Sequence, residues 1–262
     1  MPIPSFHPAD EHGLRRSLSL TPLISGMKEN EEAMTADSVS PGTHMIVLPG
    51  GGYIAHAAHE AEPVAGWLGS IGVQASVFRY PLNVRHPAPL DALRAEIRRR
   101  RAEGARRVGL VGFSAGGHLA GLAALAPGAA LDETVQFAVL GYAITSMETE
   151  TYRPARLVLL GEDASPELRR STSLDSLVTP ASPPFFIWHT AEDPYVPPVH
   201  TYLLASALAA SQVPHAVHMF TRGPHSLGLA EGAGEPAIWT ALADEWIREQ
   251  LAHQPKGNHE NE

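Results

Sequence analysis

Three polar residues of this sequence, Ser114, Asp193 and His225, occur in an order and in local contexts that suit acyl transfer. Ser114 is the centre of a Gly-x-Ser-x-Gly pattern at residues 112–116, between an apolar run and a run of small residues. A serine at a sharp strand-to-helix turn presents its hydroxyl above a helix N-terminus, where developing negative charge is favoured. The alternative is that Ser114 only caps the helix that follows it.

A serine hydroxyl becomes a nucleophile when a base within hydrogen-bonding reach takes its proton, and an acid must orient that base. Asp193 follows the apolar run 185–190 in a loop stiffened by prolines, with Glu192 as its nearest rival. His225 follows the run 215–220 in a loop of glycine and proline. The sequence therefore predicts a catalytic Ser114, a base His225 and an orienting acid Asp193, although Asp193 alone could be an ordinary turn residue.

A run of three glycines, residues 50–52, follows the apolar run 44–48 and suits stabilisation of a negative oxygen. Glycines let backbone amides approach a substrate closely. We expect Gly51 and Gly52 to donate from this loop and Ala115 to donate from the serine turn, forming an oxyanion hole. A dinucleotide or phosphate loop would need a different glycine pattern, followed by a helix or by Lys-Ser/Thr.

The remaining histidines suggest supporting roles. His189 stands at the end of the run 185–190, where it could support the loop of Asp193, and His118 is expected to make a hydrogen bond behind the serine. His215 and His218 fall on a strand with alternating character. No histidine and carboxylate spacing typical of a metal site is present, so neither a metal nor another cofactor is expected.

Regular alternation of short apolar runs and helical patterns connects these positions. The predicted strands are 44–48, 73–80, 108–113, 135–140, 185–190 and 215–220. The predicted helices are 60–70, 90–103, 115–126, 201–211 and 236–251. This order predicts an α/β fold with a mostly parallel central sheet and helices on both faces. We expect an N-terminal arm at 1–40, one domain at 41–253 with a small cap-like insertion at about 141–184, and a disordered tail at 254–262.

Composition excludes several classes of function. The 262 residues carry a net charge of −9, which makes nucleic acid an improbable partner. There is no cysteine, so disulfides and thiolate chemistry are excluded. Neither a signal-peptide pattern nor an apolar run of membrane-spanning length is present, and we expect a cytoplasmic protein without a membrane partner. The sequence is compatible with a monomer and with a homo-oligomer.

Four tyrosines could line a pocket beside the predicted site: Tyr53, Tyr80, Tyr142 and Tyr195. Each follows the glycine loop or the end of a predicted strand, so each could reach the acyl or the sugar side of a substrate. Such residues more often pack in the core than contact a substrate, since aromatic side chains supply much of a core's buried surface.

Taken together, the motifs resemble those of α/β-hydrolase esterases of the acetylxylan esterase-like and feruloyl-esterase-like group, near the hormone-sensitive-lipase branch. The matching stretches are residues 48–53, 60–65, 78–80, 112–120, 183–185, 189–193 and 223–229. The resemblance spans roughly residues 43–250 and implies an α/β-hydrolase fold and a carboxylesterase or carbohydrate deacetylase.

The sequence departs from the pattern of these esterases at two positions. Pro49 precedes the glycines where the lipase-like branch usually has histidine, and Pro224 precedes His225, where we expect a shifted loop with the base retained.

The leading hypothesis is therefore a serine hydrolase that cleaves short-chain or sugar-bound carboxylic esters through an acyl-enzyme. An amidase or peptidase, such as an arylformamidase-like enzyme, would use the same residues. A non-catalytic, ligand-binding member of the fold is the third hypothesis, and it would not react with a fluorophosphonate probe.

Overall fold

The computed structural model describes residues 42–252; the predicted N-terminal arm and C-terminal tail lie outside these described residues. Six strands form the sheet: β1 (Thr43–Leu48), β2 (Gln74–Val77), β3 (Arg107–Phe113), β4 (Phe137–Gly141), β5 (Phe185–Thr190) and β6 (His215–Phe220). The helices are α1 (Glu62–Ser70), α2 (Ala88–Ala102), α3 (Ser114–Leu125), α4 (Arg153–Leu160), α5 (Pro166–Ser171), α6 (Val199–Ala210) and α7 (Trp239–Ala252).

The six strands are all parallel, in the order β2-β1-β3-β4-β5-β6. The carboxyl ends of parallel strands face one edge of a sheet, so the loops after β1, β3, β5 and β6 gather there. This is the edge at which open α/β sheets bind ligands. The predicted α/β class with a mostly parallel sheet is confirmed.

Helices cover both faces of the sheet because successive residues of each strand point to opposite sides. On one face, strand residues such as Ile46 and Leu110 pack with α2, α3 and α6. On the other face, neighbours such as Val47 and Val111 pack with α1 and α7. Strands buried on both faces read as continuous apolar runs, which explains why the sequence located most of them within two residues.

Two element boundaries differ from the prediction by three residues. The strand predicted at 73–80 is only Gln74–Val77. The N–H of Phe78 still donates to the carbonyl of Val47, but the chain then leaves the sheet before Pro81. The last helix was predicted from 236, but Glu235–Ile238 forms a 3-10 turn containing Pro236 and α7 begins only at Trp239.

The stretch of about 141–184, predicted as an insertion, contains α4, α5 and a 3-10 turn at Leu174–Ser176. Tyr152 immediately precedes α4 and reaches the cavity described below. Within residues 42–252, no helix combines the length and the apolar character that crossing a bilayer requires.

Candidate active site

Ser114 lies at the turn between β3 and α3 in a strained backbone conformation, with φ of 51°. The flanking glycines make this turn possible. A Cβ atom at Gly112 would lie 2.5 Å from the carbonyl oxygen of Gly116. At Gly116 it would collide with the carbonyl oxygens of Leu48 and Pro49 on β1 and its loop. The serine is therefore held in a strained turn as the first residue of α3.

A continuous chain of hydrogen bonds joins the three predicted residues. The Ser114 hydroxyl lies 2.9 Å from Nε2 of His225, and Nδ1 of His225 lies 2.6 Å from Oδ2 of Asp193. Because a carboxylate only accepts, Nδ1–H donates to Asp193, which leaves Nε2 as the acceptor for the serine proton. This is the arrangement that general-base activation of a serine requires. Glu192, the rival acid, is exposed and does not take this place.

Asp193 is held from both sides of its carboxylate. Oδ1 accepts from the backbone N–H groups of Tyr195 at 2.9 Å and Val196 at 3.0 Å, and Oδ2 also accepts from Nε2 of His189 at 3.0 Å. Burial alone would raise the pKa of Asp193. The hydrogen bonds from His189 and His225, the attraction of His225 and the Val196 amide outweigh it and hold the pKa well below its usual range. The acid thus stays ionised, and His189 supports it as expected.

The loop of His225 is anchored on several sides. The carbonyl oxygen of Gly223 accepts from the Thr190 hydroxyl at 2.8 Å. The N–H of Gly228 donates to the Tyr142 hydroxyl at 2.8 Å, and its carbonyl accepts from Nε1 of Trp239 at 3.0 Å. With Pro224 in this loop, His225 lies within hydrogen-bonding distance of both Ser114 and Asp193.

The glycine loop faces the serine across a cavity. Gly51 and Gly52 both have positive φ, of 122° and 65°, which only glycine adopts at little cost. Within residues 42–252, the N–H groups of Gly51, Gly52 and Ala115 make no hydrogen bond to the protein. Backbone donors left free beside a serine can bind a developing oxyanion.

The cavity has a volume of about 280 Å³. Its lining residues come from the glycine loop, the serine turn, the histidine loop and two tyrosines: Gly51, Gly52, Ala57, Ser114, Tyr152, Tyr195, His225 and Ser226. Tyr195 is 57% exposed and its ring meets that of Tyr152 edge-on at 5.9 Å. The two rings form an aromatic wall next to His225.

The expectation that Tyr53, Tyr80 and Tyr142 line the pocket needs correction. All three are buried, and none is among the lining residues of the cavity. Each hydroxyl has a partner inside the protein: Tyr53 bonds Nδ1 of His118 at 2.7 Å, and Tyr80 donates to the carbonyl of Pro49 at 2.8 Å. Tyr142 donates to Glu60 at 2.8 Å. These three tyrosines therefore pack beneath the cavity and stabilise the surrounding loops through their hydroxyl groups.

His118 lies behind the serine and takes a structural part. Its Nε2 lies 2.8 Å from the carbonyl oxygen of Thr172, and burial lowers the pKa of His118 to about 4. The ring is therefore neutral at pH 7, with Nε2–H donating to Thr172 and Nδ1 accepting from Tyr53. Within residues 42–252, no group of three or more histidine, aspartate or glutamate side chains is placed to hold a metal ion.

Several residues at the site were not predicted from the sequence, among them Tyr152 and Glu60. Tyr152 lies in a segment without regular patterning, so only its aromatic type could have suggested it. Glu60 is fully buried and contacts Gly50, Tyr142 and Ser226. The only feature of the sequence that could have indicated Glu60 is that it lies in residues 60–65, a stretch that resembles the esterases. Glu62 lies in the same stretch and is equally acidic.

A parallel sheet with a strained serine turn after a central strand, an acid after β5 and a histidine after β6 has the architecture of the α/β-hydrolases. A family model described as BD-FAE matches residues 102–208. An acetyl ester-xyloside bifunctional hydrolase from Caldicellulosiruptor lactoaceticus is 36% identical, with a TM-score of 0.76 over 81% of this chain and 85% of that one. The carboxylesterase Cest-2923 from Lactobacillus plantarum WCFS1 is 29% identical, with a TM-score of 0.69 over 84% and 90%.

The chain belongs to the α/β-hydrolase esterases. A curated relative, endo-1,4-beta-xylanase B from Butyrivibrio fibrisolvens, is 31% identical over 206 residues, which is 71% of this chain and 32% of that protein. The chain thus spans about a third of the length of the curated relative that it matches.

Proposed function

We propose that the protein is a serine esterase that hydrolyses short-chain carboxylic esters, including acetyl groups on sugars, through an acyl-enzyme. The observation that carries the proposal is the hydrogen-bond chain from Ser114 through His225 to Asp193 at one wall of the cavity. The esterase family of the chain supports ester hydrolysis as the reaction.

In the first half-reaction, Nε2 of His225 takes the proton of Ser114 while the serine oxygen bonds to the ester carbonyl carbon. The carbonyl oxygen becomes negative and is bound by the N–H groups of Ala115 and of Gly51 or Gly52. The bond to the alcohol oxygen then breaks, and His225 returns its proton to that oxygen. Asp193 stabilises the imidazolium throughout.

In the second half-reaction, water attacks the acyl group on Ser114 with His225 again as the base. The carboxylic acid leaves and the serine hydroxyl is restored. Both steps use the same three residues and the same oxyanion donors, so no cofactor is required for the balance of the reaction.

The substrate proposal rests on the cavity. A volume of about 280 Å³ suits a small acyl group with a ring-sized alcohol part, and the aromatic wall of Tyr152 and Tyr195 offers an apolar face to such a ring. The similar proteins from Butyrivibrio fibrisolvens and Caldicellulosiruptor lactoaceticus are named for xylan and for acetyl ester and xyloside chemistry, which supports acetylated xylo-oligosaccharides as candidates.

The test is hydrolysis of p-nitrophenyl acetate and of acetylated xylo-oligosaccharides by the wild type and by Ser114→Ala. We expect the variant to lose activity by about a million-fold, since nucleophile and base act as a unit. Ser70→Ala is the matched control, because Ser70 is an exposed serine at the end of α1 that only caps the Trp67 carbonyl. A fluorophosphonate probe should label the wild type and the control but not Ser114→Ala.

Two outcomes would contradict the proposal. Equal inertness of the wild type and Ser114→Ala toward esters, with no probe labelling, would favour a non-catalytic, ligand-binding protein. Faster turnover of amides than of the matching esters would favour an amidase.

A further inference from the structure

Glu60 is a buried carboxylate that the proposed reaction does not use. It is the last residue of the 3-10 turn Ala58–Glu60 between the glycine loop and α1, and it is 0% exposed. Oε2 accepts from the backbone N–H of Gly50 at 2.6 Å. Oε1 accepts from the hydroxyl groups of Tyr142 at 2.8 Å and Ser226 at 2.7 Å.

The three donors belong to separate parts of the site. Gly50 immediately precedes the two proposed oxyanion glycines, and Ser226 immediately follows His225. Tyr142 packs edge-on against the His225 ring at 5.0 Å and also binds the N–H of Gly228. One carboxylate thus connects the loop proposed to hold the oxyanion with the loop proposed to carry the base.

The backbone around Glu60 is shaped for this contact. A Cβ atom at Gly50 would lie 2.7 Å from Oε2, so a side chain there would displace the carboxylate. Ser226 has a positive φ of 65° and receives a second contact from His59, whose Nε2 lies 2.9 Å from its carbonyl oxygen. A buried carboxylate is costly unless hydrogen-bonded, and here three donors satisfy it.

We propose that Glu60 is a positioning residue that holds the glycine loop and the histidine loop at a fixed separation, so that the oxyanion donors and the base act on the same substrate. The inference rests on the proposed function of Ser114 and His225. The hydrogen bonds of Glu60 go to Gly50, Tyr142 and Ser226 and not to Ser114 or His225, so it acts through these three residues. A shift of about 1 Å in such a site can cost about 100-fold in rate.

The test is Glu60→Gln, which keeps the size of the side chain. With the amide oxygen toward the N–H of Gly50, the new NH2 group faces the hydroxyls of Tyr142 and Ser226, which must then accept from it and lose the acceptor for their own protons. In the opposite orientation the NH2 group faces the Gly50 N–H, which can only donate. We expect kcat for p-nitrophenyl acetate to fall by about 10- to 100-fold per active site titrated with the fluorophosphonate, with KM within about twofold of wild type. Glu62→Gln makes the same change at an exposed glutamate paired with Arg79 and should keep the wild-type kcat.

A second variant, Ser226→Ala, tests the proposal even if Glu60→Gln does not fold. Ser226→Ala removes one donor and leaves Gly50 and Tyr142 to hold the carboxylate, so we expect a smaller fall in kcat at unchanged KM. In the double variant the two effects should combine to less than their product, because both variants disrupt the hydrogen bond between Glu60 and Ser226.

The inference is overturned if folded Glu60→Gln has the wild-type kcat. If Glu60→Gln does not fold, a wild-type kcat in Ser226→Ala overturns it. A rise in KM alone would assign Glu60 to substrate binding and would equally contradict the positioning role. Failure of the proposed function is a separate result, since it appears as equal inertness of wild type and Ser114→Ala whatever happens at Glu60.

Discussion

His200 holds the segment 145–150, which precedes Tyr152 at the cavity, and mild acid should destabilise the protein because the folded chain keeps this ring neutral. Its ring is 0% exposed, at the start of α6. Nδ1 accepts from the N–H groups of Thr145 at 3.0 Å and Ser146 at 3.1 Å, and Nε2–H donates to the carbonyl of Glu150 at 2.9 Å. A proton on Nδ1 would turn this acceptor into a donor facing two donors, so the folded protein excludes it.

The size of the effect follows from the pKa. Burial lowers the pKa of His200 from 6.5 to about 4, even though the Glu150 carbonyl opposes the shift. Above pH 6.5 the ring is neutral in both the folded and the unfolded chain. As the pH falls from 6.5 to 4, only the unfolded chain gains the proton, so the free energy of unfolding falls by up to about 3 kcal/mol. His118, whose pKa burial also lowers to about 4, adds a similar loss.

These two losses are large against a typical total stability of about 5–15 kcal/mol. The replacement His200→Asn tests the share of His200, because an asparagine oxygen can accept the same N–H groups without titrating. Urea unfolding followed by circular dichroism, at steps from pH 4.5 to 7 and constant ionic strength, gives the free energy of unfolding. We expect its slope against pH to be smaller than in wild type by up to about 1.4 kcal/mol per pH unit.

The comparison uses slopes because His200→Asn can also change stability at neutral pH. Ser70→Ala is the control, since it changes an exposed side chain and removes no titratable group, so it should leave the slope unchanged. Equal slopes in wild type and His200→Asn would refute the reasoning, because they would mean that the folded protein accepts the proton on His200.

Two further predictions concern the groups that hold the triad in place. His189→Phe removes one hydrogen bond to Asp193, and we expect it to lower the free energy of unfolding in urea at pH 7 by about 1–3 kcal/mol and to lower kcat; an unchanged stability and kcat would show that the remaining bonds suffice. Gly116→Ala places a methyl group against the carbonyl oxygens of Leu48 and Pro49, and we expect no folded monomer in gel filtration and circular dichroism, whereas a folded, probe-reactive variant would contradict the close approach.

The sequence was informative about the candidate triad because each member directly follows a strand. Ser114, Asp193 and His225 stand after β3, β5 and β6, whose apolar runs are visible without a structure. Parallel strands end at one edge of their sheet, so residues far apart in the chain are brought together by topology alone. The glycine loop after β1 follows the same rule.

Side-chain direction was not available from the sequence. Tyr53, Tyr80 and Tyr142 also follow strands or the glycine loop, yet their rings turn into the core, where hydroxyl partners from other elements satisfy them. Tyr195, which was predicted by the same argument, stays 57% exposed at the cavity. The difference depends on which partner lies within reach of each hydroxyl, and that is decided by tertiary packing.

Glu60 shows the same limit for a charged residue. Glu60 and Glu62 lie two residues apart in one acidic stretch, and glutamate is rarely fully buried. Glu62 follows that preference and pairs with Arg79 at the surface. Glu60 instead points inward to one donor of its own loop, Gly50, and to two donors that are distant in sequence, Tyr142 and Ser226. No local pattern distinguishes the two, because the difference arises only when the loops after β1, β4 and β6 meet. The pair is therefore also the sharpest internal comparison for the proposed positioning role: the same Glu→Gln change should impair catalysis at position 60 and leave it intact at position 62.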